Sequence, residues 1–418
     1  MPNGVWTRVA LISLGGFFEF YDLFFTGYIA PGLVRSGILT PTTPGLFGTT
    51  GIAGFVAAMF SGLFVGTALV SFAADRLGRR TIFTYSLLWY TAASVVMAFQ
   101  RDVFGLDLWR FISGIGVGVE LVTIDTYLAE LVPAELRGRA FALNQALQFC
   151  AVPIVALLAW LLVPRAPFGL DGWRWVVLLG AAGAILVWWI RLRVPESPRW
   201  IAEHGRARKA GSTALRRGSF AEMWRPPYHT RSVMLIAFHL FQTVGYYGFS
   251  NWVPTLLIKR GIDVPNSLRY TFIIAIAAPF GPLLGAAIAD RLERKWQIVL
   301  SAFAVGTAGL LFGQMTAAAA LIFFGVTLTL ANNILSFSSH AYQAELYPTR
   351  IRALAVGFVY SWSRISVVFS SFVIGFVLER LGTTGVFALI AGSMLVVMLA
   401  IGLLGPRTNN LALEAISN

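Results

Sequence analysis

The chain has few charged residues and almost no cysteine or histidine. Only 12% of its 418 residues are charged, about half of the roughly 25% found in a soluble domain. The single cysteine, Cys150, excludes a disulfide framework, a Cys-x-x-Cys redox pair and a thiolate metal site. The four histidines show no metal-ligand spacing, and the absence of any Gly-Lys dipeptide excludes a Walker A loop. We therefore expect no metal, no cofactor and no enzymatic activity.

Apolar residues are abundant and lie in long runs. They make up 57% of the chain, and the mean hydropathy is +0.72. Because a spanning helix needs about 20 mostly apolar residues, the sequence predicts a membrane protein with twelve spans. The predicted spans are 9–34, 46–73, 81–99, 107–130, 139–163, 174–194, 232–257, 269–289, 297–315, 317–342, 353–377 and 382–405.

The basic residues predict how the chain is oriented. Lys and Arg favour cytoplasmic loops, and most of the 32 basic residues fall in alternate loops, including a polar, Arg-rich stretch at 191–231. This pattern predicts that both termini are cytoplasmic. Separately, we expect the protein to lie in a bacterial inner membrane as a functional monomer. The net charge of +13 is then an orientation signal, and no nucleic-acid partner is expected.

Two loop motifs recur at one offset. The loop after the second span reads ADRLGRR and the loop after the eighth reads ADRLERK, whereas AELVPAELRGR and AELYPTRIRAL follow the fourth and tenth spans. Glu130 and Glu345 are equivalent in the second pair, 215 positions apart (345 − 130), and the first pair has the same offset. The repeat predicts two homologous halves, at 1–194 and 231–418, joined by a cytoplasmic linker at 195–230.

These motifs resemble those of the major facilitator superfamily. The loop containing Asp75, Arg76, Gly78, Arg79 and Arg80 is similar to its signature between helices 2 and 3, with Ser71 in place of the first glycine. RFISGIGVG resembles the helix-4 signature of proton-coupled members. PESPRW resembles the sugar porters, the organic anion and cation transporters and the aromatic-acid symporters, and AELYPTRIRALAVGF resembles the last two groups most. The resemblance implies an all-α membrane protein with twelve transmembrane helices in two six-helix bundles.

The charged loop residues at the ends of these helices are candidates for a cytoplasmic gate. We expect salt bridges between the two halves that form when the transporter opens outward and break when it opens inward. The candidate residues are Asp75, Arg76, Arg79, Glu130, Arg137, Glu196, Arg199, Asp290, Glu345 and Arg352.

Several ionisable residues fall inside the predicted spans of the first half. Each costs at least about 2.5–3.5 kcal/mol at the bilayer centre, which makes it a functional candidate. The family resemblance implies that Asp22 and Arg110 form the proton-coupling pair; the alternative is a static ion pair that fixes the first span against the fourth. The full set of proton-coupling candidates is Asp22, Arg110, Glu19, Glu120 and Asp125.

Arg364 bears most directly on the substrate. It lies 12 residues after Arg352, or about 18 Å deep at 1.5 Å per residue, in a half that has no acid at matching depth. A guanidinium can hold a carboxylate through two hydrogen bonds; the alternative is pairing with acids of the first or fourth span. The other substrate-binding candidates are polar or aromatic: Gln242, Tyr246, Tyr247, Asn251, Gln145, Gln148, Asn332 and His340.

The sequence therefore predicts a secondary transporter that imports a small organic acid together with protons. Aromatic and hydroxylated monocarboxylates are the favoured substrates, and the expected partners are that substrate, protons and the lipid bilayer. Two alternatives remain open at this point: a proton-coupled symporter of a sugar or polyol, and a proton-coupled drug exporter.

Overall fold

The structure, a computed structural model, describes residues 3–40, 44–46, 51–67, 79–132, 137–192, 220–289 and 291–408. Helices dominate because a chain crossing a membrane must satisfy its backbone hydrogen bonds internally. The helices of the first half are α1 (Asn3–Arg35), α2 (Ile52–Val65), α3 (Arg79–Ala98), α4 (Val103–Leu131), α5 (Arg137–Phe149), α6 (Ala151–Leu162) and α7 (Gly172–Arg191).

The second half repeats this succession after a short 3₁₀ helix at Phe220–Trp224. The last helical run, Thr349–Leu404, breaks at Gly382, where a φ of 67° favours glycine. Its two parts are here called α14 (349–381) and α15 (383–404). The helices before them are α8 (Tyr228–Ser250), α9 (Val253–Lys259), α10 (Val264–Ala275), α11 (Phe280–Ala289), α12 (Arg294–Gln314) and α13 (Ala318–Glu345).

The described helices confirm the predicted fold class. Three crossings consist of two helices each, namely α5 with α6, α8 with α9, and α10 with α11. Each half then contributes six crossings, which gives two homologous six-helix bundles. Eight described helical segments are long and apolar enough to cross a membrane by themselves, and the longest, Leu354–Leu404, contains two crossings.

Glycine and proline explain where the predicted spans differ from the helices. The second span was predicted to begin at residue 46, and this is wrong: α2 begins at Ile52, after Gly51 with a φ of 67°. The seventh span, predicted as 232–257, is interrupted before Pro254, since α8 ends at Ser250 and α9 begins at Val253. The eighth span is not continuous as predicted, because Pro279 lacks an N–H and the chain re-enters a helix only at Phe280.

Each bundle buries its own apolar core and exposes apolar side chains outward. Phe55 and Phe60 are fully buried in the first half, and Phe312 and Phe387 are buried in the second. Phe303, Phe376 and Leu403, by contrast, are more than half exposed. Exposed apolar side chains on a bundle of this kind are the surface expected to face lipid.

The two ends of the bundle are packed differently. We call the end at which α4 ends and α5 begins the basic end, and it is the end predicted to be cytoplasmic. At the opposite end, α1 meets the last residues of α8 closely, because a side chain at Gly27 would lie 2.3 Å from the carbonyl oxygen of Asn251. Trp160 also stacks on Phe272 across the two halves, at 5.8 Å between ring centroids. The halves therefore touch at the opposite end, and the main cavity lies toward the basic end.

Candidate functional site

The structure brings Asp22 of α1 and Arg110 of α4 together inside the first half. Their side chains are almost fully buried, and Nη1 of Arg110 lies 2.8 Å from Oδ2 of Asp22. The hydroxyls of Ser94 and Ser113 donate to the same carboxylate, at 2.6 and 3.1 Å. The guanidinium also lies 4.2 Å from the ring centroid of Phe25. The Asp22 carboxylate is thus held by one guanidinium and two hydroxyls within the bundle.

A second buried ion pair joins Glu120 of α4 to Arg191 of α7, with both side chains at most 1% exposed. Arg191 also donates to the carbonyl oxygen of Phe83 at 2.6 Å and lies 3.6 Å from the centroid of that ring. Gly15 of α1 leaves the room for this guanidinium, because any side chain at that position would collide with it. Arg191 was counted with the loop residues of the stretch 191–231, and this is wrong: it is the last residue of α7 and turns into the bundle to compensate Glu120.

A cavity of about 420 Å³ lies between the two halves toward the basic end. α1 and α5 form one wall, and α13 and α14 form the other. Gly16 of α1 allows Gln148 to reach this space, since a side chain there would lie 2.2 Å from Nε2 of the glutamine. Four residues predicted from the sequence line the cavity: Glu19, Gln145, Gln148 and His340.

A smaller cavity of about 70 Å³ continues from the first, sharing Gln145, His340 and Tyr360 with it. Phe20, Phe24 and Phe149 give it an aromatic wall from the first half. Its polar lining comes mainly from the second half, where the chain brings together His239, Gln242, Tyr246, Tyr247 and Arg364.

Arg364 is buried, with 2% of its surface exposed, and is held by two tyrosines. It donates to the hydroxyl of Tyr360 at 2.7 Å and to that of Tyr247 at 3.3 Å. Its Nε makes no hydrogen bond within the described part of the chain, and no described carboxylate lies within 4.0 Å of it. Arg364 therefore does not form the ion pair with an acid of α1 or α4 that was considered from the sequence.

The two histidines of the site are linked through a glutamine that sequence reasoning missed. Nε2 of His239 lies 2.9 Å from Oε1 of Gln343, and Nε2 of Gln343 lies 3.4 Å from Nδ1 of His340. Because the amide nitrogen can only donate and the amide oxygen only accept, the proton is on Nε2 of His239 and absent from Nδ1 of His340. These hydrogen-bonded side chains, His239, Gln343 and His340, join α8 to α13 beside Arg364.

Two predicted asparagines lie away from these cavities. Asn251 is fully buried and packs against Gly27, because the break between α8 and α9 turns it toward α1. Asn332 lines a separate space of about 30 Å³ nearer the opposite end. Tyr360 and Ser94, in contrast, were not predicted and make direct bonds to the buried charges. They carry no sequence signal beyond a polar group in an apolar run.

Few of the gate candidates can be placed. Glu345 forms an ion pair with Arg294 of its own half, on α12. Asp75, Arg76, Glu196, Arg199 and Asp290 lie outside the described residues. The side chains of Arg79, Asp125, Glu130, Arg137 and Arg352 are likewise outside the described part of the structure.

Known proteins resemble the chain over nearly its whole length. The profile of the family described as "Sugar (and other) transporter" matches residues 9–418. YyaJ of Bacillus subtilis, provisionally named a metabolite transport protein, is 32% identical, covering 94% of this chain and 90% of its own. The niacin transporter NiaP of Acinetobacter baylyi is 28% identical, covering 98% of this chain and 96% of its own.

A solved structure matches the fold. The inward open conformation of the xylose transporter XylE from E. coli superposes with a TM-score of 0.80 at 20% identity, covering 99% of both chains. At this level of identity the match shows the shared architecture alone.

Proposed function

The chain belongs to the sugar (and other) transporter family of the major facilitator superfamily, and from this premise we propose that it imports a small aromatic monocarboxylate together with protons. It does so in a bacterial inner membrane as a monomer, with both termini in the cytoplasm. The observation that carries the proposal is the burial of Arg364 on the cavity between the halves, with two tyrosine hydroxyls as its hydrogen-bond partners and no described carboxylate within 4.0 Å.

The first step is the chemistry of the lone guanidinium. A charge at this depth is costly, and its tyrosine partners provide hydrogen bonds but no negative charge. A bound carboxylate supplies both, through charge-assisted bonds that are about twice as strong as neutral ones. The hydroxyl proton of Tyr247 is not used in accepting from Arg364, so it can donate to the same anion.

The shape and composition of the cavity wall that faces Arg364 also support an aromatic substrate. Phe20, Phe24, Phe149 and Tyr246 line the deeper cavity, and binding sites of this kind combine apolar walls with few polar groups. An aromatic ring attached to the carboxylate suits this wall better than a sugar, which needs hydrogen bonds all around. The name of the relative NiaP supports the same class, because niacin is an aromatic monocarboxylate.

The third step is coupling. A carboxyl group releases its proton when a cation is next to it and keeps the proton when that partner is withdrawn. Asp22 and Arg110 lie on different helices, α1 and α4, so a rearrangement of α1 during the transport cycle changes their separation. Substrate contacts on α1, where Phe20 and Phe24 line the cavity, connect this movement to binding.

The test is uptake into proteoliposomes under an imposed pH gradient, acidic outside. Labelled nicotinate is the probe, with nicotinamide as its neutral match and xylose as the sugar. Because an uncharged weak acid crosses a bilayer unaided, protein-free liposomes give the background. We expect nicotinate to accumulate above that background and to leave when a protonophore is added, with no accumulation of nicotinamide or xylose.

Other outcomes would replace the proposal. Accumulation of xylose without nicotinate would establish the sugar symporter. Proton-driven loss of a preloaded cationic drug, without uptake of either probe, would establish the exporter.

A further inference from the structure

His340 of α13 lies where the two cavities between the halves join. It lines both the large cavity of about 420 Å³ and the smaller one of about 70 Å³ that contains Arg364. Its ring is tilted against that of Tyr360, at 5.4 Å between centroids, and the hydroxyl of Tyr360 accepts from Arg364. A ligand that has its carboxylate on Arg364 and reaches into the larger cavity therefore passes beside His340.

The hydrogen bonds of Gln343 determine which nitrogen of His340 carries the proton. The amide nitrogen of Gln343 donates to Nδ1 of His340 at 3.4 Å, so Nδ1 has no proton. A neutral imidazole carries one proton, which is then on Nε2 of His340. The oxygen of the same amide accepts from Nε2 of His239 at 2.9 Å. One glutamine therefore sets the tautomers of both histidines.

The surroundings of His239 support this orientation of the amide. His239 is 2% exposed, and its Nδ1 makes no hydrogen bond within the described part of the chain. With the amide as it stands, the proton of His239 is on Nε2 and Nδ1 has only a lone pair. A reversed amide would move that proton to Nδ1, where it would be buried without an acceptor. Orphaned N–H groups are rarer in protein interiors than under-satisfied acceptors, so the observed orientation is the favoured one.

The Nε2–H of His340 is a donor that the described residues do not use. No acceptor among them takes this proton, yet the nitrogen is not sealed in the protein interior. Nε2 lies across the imidazole ring from Nδ1, so it points away from Gln343. Because the open space beside His340 is the pair of joined cavities, the N–H is available to a ligand there.

We propose that His340 selects aromatic acids whose ring carries a hydrogen-bond acceptor, such as a pyridine nitrogen, by donating to it from Nε2. The inference rests on the proposed function and narrows it: Arg364 takes the carboxylate, and His340 distinguishes one aromatic acid from another by its ring. A site that is built to hydrogen-bond a substrate group rejects the analogue lacking that group, because the polar group of the site is then left unpaired.

Nicotinate and benzoate form the matched pair of ligands, because they share a carboxylate and a six-membered ring and differ in the ring nitrogen. In the wild type nicotinate pairs its nitrogen with His340, whereas benzoate leaves the Nε2–H without an acceptor. In His340→Phe the nitrogen of nicotinate would lose its water without gaining a donor, and benzoate would place only carbon there. The order of affinity should therefore reverse in the variant.

The experiment measures the affinities of nicotinate and benzoate by isothermal titration calorimetry at neutral pH, for the purified wild type and three variants. His340→Phe removes the donor. His340→Gln is the conservative variant, since its amide nitrogen can donate from about the position of Nε2. His229→Phe is the matched control, because His229 is an exposed histidine of α8 that belongs to the lining of neither cavity. Thermal unfolding shows whether each variant is folded.

We expect the wild type to bind nicotinate about 2- to 12-fold more tightly than benzoate, which corresponds to one neutral hydrogen bond. His340→Phe should reverse this order, and His340→Gln and His229→Phe should keep it. His340→Leu, of similar volume and also without a donor, replaces His340→Phe if that variant does not fold.

Two results would overturn the role of His340 and leave carboxylate recognition by Arg364 intact. One is a wild type that binds benzoate as tightly as nicotinate, and the other is a folded donor-free variant that keeps the wild-type preference. A wild type that binds neither acid would overturn the proposed function, and this inference with it.

Discussion

The two halves of the protein bury charge in opposite ways. In the described residues of the first half, Asp22 is matched by Arg110 and Glu120 by Arg191, each as a close ion pair. In the second half Arg364 is buried with tyrosine partners, and no carboxylate of the described residues lies within 4.0 Å of it. Two histidines lie beside it, and they are linked to each other through Gln343. The halves share a fold and differ in electrostatic compensation.

This difference assigns the halves different tasks. A buried ion pair recovers its desolvation cost only with good geometry and further hydrogen bonds, and both pairs of the first half have them. Such pairs respond to a proton, because protonating the acid breaks the compensation. A buried guanidinium with no described carboxylate within 4.0 Å responds to an anion instead. The first half is therefore suited to coupling and the second to selecting the substrate by its charge.

The internal repeat shows the same difference between the halves position by position. At the offset of 215, Arg110 and Glu120 correspond to Gly325 and Leu335, and Arg364 corresponds to Phe149. None of these charges is retained in the other half. Phe149 lines the same cavity as Arg364. The same position of the repeat therefore supplies an aromatic side chain to the cavity from the first half and a cation from the second.

The largest effect is expected from Asp22→Asn, which removes the coupling acid of the first half. The amide mimics the protonated acid, so accumulation of nicotinate under a pH gradient should fall to the protein-free level while exchange continues. Asp107→Asn is the control: Asp107 is equally buried, but it accepts from the backbone N–H of Leu46. Accumulation against a gradient by Asp22→Asn would show that coupling does not depend on this residue.

A smaller effect is expected from Arg364→Lys, which keeps the charge of the second half but removes its two-pronged geometry. Hydrogen bonds to charged groups contribute about 1.5–3 kcal/mol, so nicotinate affinity should fall roughly 10- to 150-fold with some transport retained. Arg260→Lys is the control, because among the described residues Arg260 donates to the carbonyl oxygens of Phe312 and Met315, near the opposite end. Unchanged affinity in Arg364→Lys would indicate that the guanidinium geometry is not used.

The smallest effect is expected at the gate, where the two halves meet at the basic end. Partly exposed ion pairs contribute about 0.2–1 kcal/mol, so Glu345→Ala should move the equilibrium toward the inward-open state by no more than about fivefold. The alkylation rate of Val356→Cys, on the rim of the large cavity, reports that opening in a Cys150→Ser background. Glu379→Ala, an exposed acid elsewhere in the same half, should not change it. Equal rates in all three backgrounds would remove Glu345 from the gate.

The fold and the Arg364 position were accessible from the sequence for physical reasons. Hydropathy predicts the membrane spans, and the motifs repeated at one offset predict the two homologous halves. Depth follows from counting residues at 1.5 Å each, which was sufficient to identify Arg364 as a charge without a partner in its own half.

Arg191 and Gln343 were missed because sequence position does not reveal which way a side chain points. Arg191 follows an apolar run and precedes a basic linker, so it resembles an ordinary loop arginine; only the gap at Gly15 turns it inward. Gln343 comes directly after the predicted tenth span. Its spacing of three residues from His340 was a visible signal, but it gains meaning only once His239 of α8 is known to lie beside it.

The proposed division of tasks between the two halves depends most directly on whether Arg364 recognises a carboxylate. Isothermal titration calorimetry of nicotinate and nicotinamide against wild type and Arg364→Ala measures this without transport, and thermal unfolding of both proteins shows whether the variant is folded. We expect wild type to bind nicotinate at least tenfold more tightly than nicotinamide, and Arg364→Ala to lose that preference. Equal affinity of wild type for acid and amide, or full affinity for the acid in folded Arg364→Ala, would contradict the division of tasks between the two halves.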